Sequence, residues 1–210
     1  GAEFGIDDDR GDVIRVVATE DNTTVRAMRQ DGTGLLNKWL LRKKGETALE
    51  TSLQEATYWE SDKPITMGQY GKSYAKILPP GGVINNVDGT KKDDESQGHP
   101  TVESGMPMLQ YIPSTDRWVE YGVFYAPEGM DNFFNITFKT EDIGKIKVDG
   151  RLLNSFSGSM RPLKGTPYSF IRTAIGTGDH VVESMDPSVK WAAWNLSLIH
   201  ISEPTRLRRI

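Results

Sequence analysis

Four carboxylates crowd the N-terminal stretch: Asp7, Asp8 and Asp9 in a row, then Asp12. Carboxylate oxygens suit hard cations, so this set is the candidate ligand group for Ca²⁺. Successive side chains on an extended strand point to opposite faces, and the spacing of a calcium-binding loop is absent. A solvated acidic end is therefore the competing reading. No other cofactor is indicated. His99 and His180 lie far apart and neither sits in a ligand motif, with His180 expected to be half-exposed in a strand. There is no cysteine, which removes thiol nucleophiles, thiolate metal sites and disulfides together. Ser157-Gly158-Ser159 runs into Met160 and does not complete a nucleophile elbow. Gly32-Thr33-Gly34 and Gly176-Thr177-Gly178 read as turns, because neither leads into a helix that could cradle a phosphate. With no nucleophile–base pair and no paired acids, the chain is expected not to be an enzyme.

What remains is recognition by ring faces. Trp59 and Trp118 stand beside charged neighbours and are the candidate ligand-binding residues, rings that could meet a peptide or a carbohydrate. The other aromatics of the second half, Tyr121, Phe124, Tyr125, Phe133, Phe134, Tyr168, Phe170, Trp191 and Trp194, are expected chiefly in cores. Arg10-Gly11-Asp12 matches an integrin-recognition tripeptide but is read as the opening of a strand.

The elements that must hold these residues are strands. Gly 21 and Pro 11 among 210 residues favour short strands and turns over long helices. Net charge is −4 with both signs interspersed, which argues against a nucleic-acid surface. No apolar run approaches the roughly 18–20 residues that cross a bilayer. Asp12–Thr19 is a β-branched run apolar on both faces. Further strands are expected at Thr24–Met28, Ala56–Trp59, Ile65–Tyr70, Met108–Ile112, Trp118–Ala126, Asn135–Lys139, Lys145–Val148, Tyr168–Thr173, His180–Ser184 and Val189–Trp194. Leu35–Leu41 could be a strand or one helical turn, and Asp149-Gly150 is a tight-turn signal. Gly71–Met106 is poor in apolar residues and reads as a long, partly ordered insertion.

The chain also repeats itself. Asp12–Asn22 parallels Glu120–Asn132, since both run from an acidic residue through apolar positions to Ala, then Glu, then Asp-Asn. Thr23–Met28 then parallels Phe133–Phe138, and Glu60–Tyr70 parallels Glu183–Trp194. This predicts one supersecondary unit used twice, superposing strand for strand; shared hairpin chemistry is the alternative. The expected fold is all-β, a tandem or pseudo-symmetric β-sandwich built from two repeated units. Its divisions are 1–70 for the first unit, 71–117 for the inserted loop and a connecting strand, 118–195 for the second unit and 196–210 for a tail.

Four blocks in order carry a family likeness: Gly11–Val25, Glu60–Tyr70, Gly98–Trp118 and Gly165–Trp194. With them the chain resembles the N-terminal domain family of the IgGFc-binding proteins, including its bacterial surface members. The resemblance implies a secreted or surface-attached β-rich module within a longer multi-domain protein. The animal members are cysteine-rich and this chain has none, so antibody binding is not part of what is implied. Leu196–Arg206 (LSLIHISEPTR) resembles the conceptual translation of a sequencing adapter, so a foreign tail is expected from Leu196. A short strand at Leu196–Ile201 followed by a basic end is the alternative. The expected function is a non-catalytic extracellular or cell-surface adhesion or protein-interaction module, with a protein or glycan ligand, further domains in the same chain, and no nucleic-acid partner. A carbohydrate-binding module beside a separate catalytic domain is the rival.

Overall fold

The computed structural model describes residues 12–53, 55–71, 84–85, 91–92 and 108–199. Asp7, Asp8, Asp9, His99, the tail from His200 and most of the insertion lie outside these residues. The fold is nearly all β, as the composition and alternation imply.

Six strands form the first unit: β1 (Asp12–Ala18), β2 (Thr23–Arg29), β3 (Leu35–Leu41), β4 (Thr47–Leu53), β5 (Thr57–Ser61) and β6 (Ile65–Gly71). Two short strands, β7 (Ile84–Asn85) and β8 (Lys91–Lys92), pair with each other. The chain continues through β9 (Met108–Tyr111), β10 (Tyr121–Ala126), β11 (Met130–Lys139), β12 (Ile146–Val148), β13 (Arg151–Leu152) and β14 (Met160–Pro162). The last strands are β15 (Tyr168–Ala174), β16 (Gly178–Ser184) and β17 (Trp191–Ile199). Single 3₁₀ segments occupy Thr115–Arg117, Thr140–Lys145 and Leu153–Ser159.

The strands make two sandwiches. In the first, the sheet β4-β1-β6-β9 faces the sheet β3-β2-β5. Ile14, Val16 and Ala18 of β1 meet Val25 of β2, Leu41 of β3 and Ala48 of β4 in one core. In the second, β10-β16-β12-β13 faces β14-β15-β11-β17. Phe134, Ile136 and Phe138 of β11 interlock with Ile146, Val148, Ile171, Val182 and Trp191. The period-2 alternation of β11 sets this face, since every second side chain turns inward. Leu35–Leu41 is a strand, and the hairpin β12–β13 turns at Asp149 (φ 50°) and Gly150 (φ 74°). Two successive positive φ values are what a two-residue turn matched to strand twist requires.

The units meet at an aromatic junction. Tyr58 of β5 stacks on Tyr168 of β15 at 5.9 Å, and Trp118 meets the same ring edge-on at 5.2 Å. The Lys164 N–H donates to the Gln30 carbonyl at 2.9 Å.

The repeat is real in its opening and wrong in its close. β1 pairs with β4 as β10 pairs with β16, and β2 lies between β3 and β5 as β11 lies between β15 and β17. Thus β17 corresponds to β5. The parallel between Glu60–Tyr70 and Glu183–Trp194 is displaced by one strand, because β6 pairs with β1 whereas β17 pairs with β11. The second hairpin strand is also displaced by one residue. Thr23, Val25 and Ala27 are buried, as are Asn132, Phe134 and Ile136, so Thr23 matches Asn132 and not Phe133. A shift of one residue exchanges the two faces of a strand. Thr23 and Asn132 do the same work: Thr23 Oγ1 donates to the Glu20 carbonyl at 2.8 Å and Asn132 Nδ2 to the Pro127 carbonyl at 2.9 Å, each closing its turn.

β4 answers no expected strand, and β17 runs past Trp194 to Ile199, with Leu196 opposite Phe133. The short-strand alternative for Leu196–Ile201 is the conformation seen as far as Ile199.

Candidate functional site

Apart from Leu109 and Tyr111 on β9, the most exposed large apolar side chains among the described strand residues belong to β10. Tyr121 is 58% exposed, Val123 66% and Tyr125 60%, and Val119 just before them is 44% exposed. The alternation of β10 produces this. Gly122, Phe124 and Ala126 turn toward the core, so Tyr121, Val123 and Tyr125 must share the outward face. On the neighbouring strand Glu183, Val181 and Asp179 stand opposite them, which borders the apolar stripe with carboxylates. The first unit has Val13, Arg15 and Val17 at the equivalent outward positions, and the Arg15 guanidinium, lying 5.8 Å from the Tyr70 ring centre, interrupts the stripe there.

Beside β10 a groove of about 270 Å³ opens between the two sheets of the second unit, lined by Trp118, Val119, Phe124, Phe134, Trp191 and Ala193. Its near end is fixed by two reciprocal hydrogen bonds, Val119 N–H to the Trp191 carbonyl at 3.0 Å and Trp191 N–H to the Val119 carbonyl at 2.9 Å. The Trp191 indole N–H donates to Ser184 Oγ at 3.1 Å, pinning the ring against Gly122. At the far end Asn195 Nδ2 donates to the Tyr125 carbonyl at 3.3 Å, and Asn195 Oδ1 is buried without a hydrogen-bond donor.

Behind the groove stands a polar pair. His180 is only 8% exposed, so the expected half-exposed position is corrected. Its burial follows from alternation in β16, where His180 and Val182 face the core. Nδ1 lies 2.7 Å from Asp149 Oδ2 and Nε2 lies 2.8 Å from the Gly176 carbonyl. Both partners are acceptors, an arrangement that favours the doubly protonated ring. Burial pushes its pKa down, but the Asp149 and Gly176 hydrogen bonds and the nearby carboxylate charges outweigh it and hold the group above its ordinary value. Burial also works against the Asp149 charge, yet the His180 hydrogen bond and the Val181 N–H, 2.9 Å from Oδ1, keep that carboxyl below the usual range. The ring stacks on Phe124 at 5.1 Å and Phe124 on Phe134 at 5.3 Å, so the pair buttresses the groove wall.

The residues singled out by type are placed as follows. Trp118 is half-buried at the unit junction and at the groove mouth. Trp59 is half-buried in the first unit, stacked on Trp39 at 5.3 Å, with its indole N–H given to Thr57 Oγ1 at 2.7 Å. The two tryptophans thus belong to different units and do not form one surface. Asp12 Oδ2 accepts a hydrogen bond from Gln69 Nε2. Among the described residues no group of three or more histidine, aspartate or glutamate side chains is placed to hold a metal ion. The aromatic set divides: Phe134 and Trp191 are core, while Tyr121 and Tyr125 are surface. Strict alternation from Tyr121 to Ala126, once Phe124 is placed inward, is the signal that separates them.

Two antiparallel sandwiches, one carrying an exposed apolar strand face and a half-buried polar pair engaged in structure, define a β-sandwich module. The family profile described as IgGFc binding protein matches residues 2–193, and the chain belongs to that family. Its members are non-enzymatic protein-binding domains, typically extracellular. Neither the curated proteins nor the solved structures contain a match. No helix among the described residues is long and apolar enough to cross a membrane.

Proposed function

We propose that the chain is a non-catalytic adhesion or protein-interaction module of a larger surface or secreted protein, and that it engages a protein through the outward face of β10. The observation that carries this is the stripe Tyr121–Val123–Tyr125, exposed on a strand whose other face is anchored in the core. Burying side chains of this size contributes about 1.5–3 kcal/mol each. Tyrosines in addition offer a hydroxyl at the rim of an apolar contact, the combination enriched where interfaces are strongest. The bordering Asp179 and Glu183 would steer partners that carry basic residues around an apolar centre.

The test is the triple variant Tyr121→Ser, Val123→Thr, Tyr125→Ser, compared with the parent on arrays of extracellular-matrix and cell-surface proteins and on a glycan array. Protein binding that falls at least about tenfold, with thermal stability unchanged, is the expected result. Protein binding unaffected by the triple change removes β10 as the site. Binding to glycans alone, lost on Trp118→Ala, replaces this function with the carbohydrate-binding one.

A further inference from the structure

We infer that the groove beside β10 is an unfilled strand position, completed by an extended segment of the same polypeptide downstream of β17 that runs antiparallel to β10. This goes beyond the outward face discussed above, since it concerns the edge of the strand and the gap behind it.

The first unit shows what belongs there. Aligning Ala18 with Ala126 places Val13, Arg15 and Val17 on Tyr121, Val123 and Tyr125. In β1 these residues stand opposite Tyr70, Gly68 and Thr66 of β6, which covers that whole edge. The side chains of Ile65 and Met67 pack from β6 into the core. In the second unit β16 takes the role of β4, and among the described residues no strand takes the role of β6: β10 is the outermost strand of its sheet.

The backbone at this edge is prepared for a partner. Ala18 bonds toward β4 (Gly45 N–H to the Ala18 carbonyl, 2.8 Å), so in the matching register Gly122, Phe124 and Ala126 bond toward β16. The N–H and C=O groups of Tyr121, Val123 and Tyr125 then point to the open side, as the Asn195 contact to the Tyr125 carbonyl requires. Where Ile65 and Met67 fill the first unit, the second has the groove, with apolar walls from Phe124, Phe134, Trp191 and Ala193. The donorless Asn195 Oδ1 at its far end is an acceptor that an incoming backbone N–H would satisfy.

The direction of the chain is also right. β17 starts at a single antiparallel bridge between Trp191 and Val119 and reaches the Tyr125 carbonyl at Asn195, so beyond that bridge it advances along β10 in the same direction. A strand that turns back after β17 would enter beside Ala126 and run antiparallel to β10, as β6 enters at Ala18 opposite Ile65 after a turn over Asp62–Pro64. Ser61, the last residue before that turn, stands opposite Val25; Asn195 stands opposite Phe134, the matching residue.

The test is hydrogen exchange on the 210-residue chain and on a chain whose sequence after Asn195 is a copy of residues 62–71, Asp-Lys-Pro-Ile-Thr-Met-Gly-Gln-Tyr-Gly. The expected result is that the amides of Tyr121 and Val123 exchange about tenfold or more slowly in the second chain, and that replacing its two inward apolar residues by aspartate abolishes the effect. Val123→Pro removes only a donor on the open edge, so in the second chain it restores fast exchange at Tyr121 while the β16 pairing and the fold survive. Unchanged fast exchange with the grafted strand would overturn the inference. So would protection already present in the 210-residue chain that rises with protein concentration alongside a dimer in sedimentation, since a second copy would then be the occupant. Neither outcome depends on what binds the outward face, which the array experiment reads separately.

Discussion

His180 shows how one side chain can join charge, packing and surface shape. Its ring is buried, bonded at both nitrogens and stacked on Phe124, which itself walls the groove. The stability that the pair contributes depends on pH in two directions. His180 has a raised pKa in the fold, so its contribution is complete below the unfolded value of about 6.5 and is lost as pH rises through the folded one. Asp149 has a lowered pKa, so its contribution is present above about 3.9 and is lost as pH falls through the folded value. Melting between pH 5 and pH 9 should therefore show a decline on the alkaline side that His180→Phe removes. The Asp149 side chain is 42% exposed, so solvent screening places the loss in Asp149→Asn near the lower end of the roughly 1–3 kcal/mol range for such pairs. A second residue-scale prediction concerns Gly122. An added Cβ would sit 3.0 Å from the Trp191 ring, which cannot retreat because its N–H is held by Ser184 and its backbone by Val119. Gly122→Ala should cost about 1–3 kcal/mol by overpacking, measured by denaturant midpoint at unchanged m-value.

At the scale of elements, β6 and the gap beside β10 are two states of one position. Met67→Ala would make in the first unit a void like the one the second already has. The residue is half-buried, so we expect about 2 kcal/mol of destabilisation, the low end for removal of a methionine side chain, read by chemical denaturation. Strand existence was largely legible in the sequence, and strand partnership was not. β1 and β11 announce themselves by β-branched and aromatic alternation, and Asp149-Gly150 by its turn chemistry. β4 is silent because Thr47–Leu53 mixes threonine and glutamate among its apolar residues, and Ala48 is the deeply buried residue among its described side chains. The closing repeat misaligns because a Glu-Ser pair and a proline mark a turn, and nothing local says which strand lies across the sheet. His180 looks like an ordinary sheet residue for the same reason: Asp149, which justifies its burial, comes from another hairpin. The exposed stripe on β10 was hidden because sandwiches need aromatics inside, and only pairing with β16 reveals that Tyr121 and Tyr125 face away.

At the scale of the molecule, two cores share one short junction. Each unit has its own core, with Val16 and Val25 at the centre of one and Ile136 and Ile146 at the centre of the other. What joins them is the Tyr58–Tyr168–Trp118 cluster and the turn at Gly32, whose φ is 72° and whose missing Cβ would lie 3.0 Å from the Lys164 carbonyl oxygen. Aromatic pairs of this kind contribute about 0.5–1.5 kcal/mol each beyond burial, so the junction is a weaker tie than either core. Gly32→Ala acts at this junction and on the β2–β3 hairpin to which the turn belongs. It adds the roughly 1–2 kcal/mol of a left-handed non-glycine residue and presses a methyl on backbone that cannot rotate away. The cores themselves are untouched. Scanning calorimetry should therefore show a transition in the variant that splits into two, with the unit containing Phe134 melting where the parent's does and the unit containing Val16 melting lower, because the strained turn belongs to its β2–β3 hairpin. A single transition shifted as a whole would mean that the junction couples the sandwiches more strongly than its contacts suggest. The strand missing beside β10 would then also be felt in the first unit, and the grafted copy of residues 62–71 should raise both melting points instead of one.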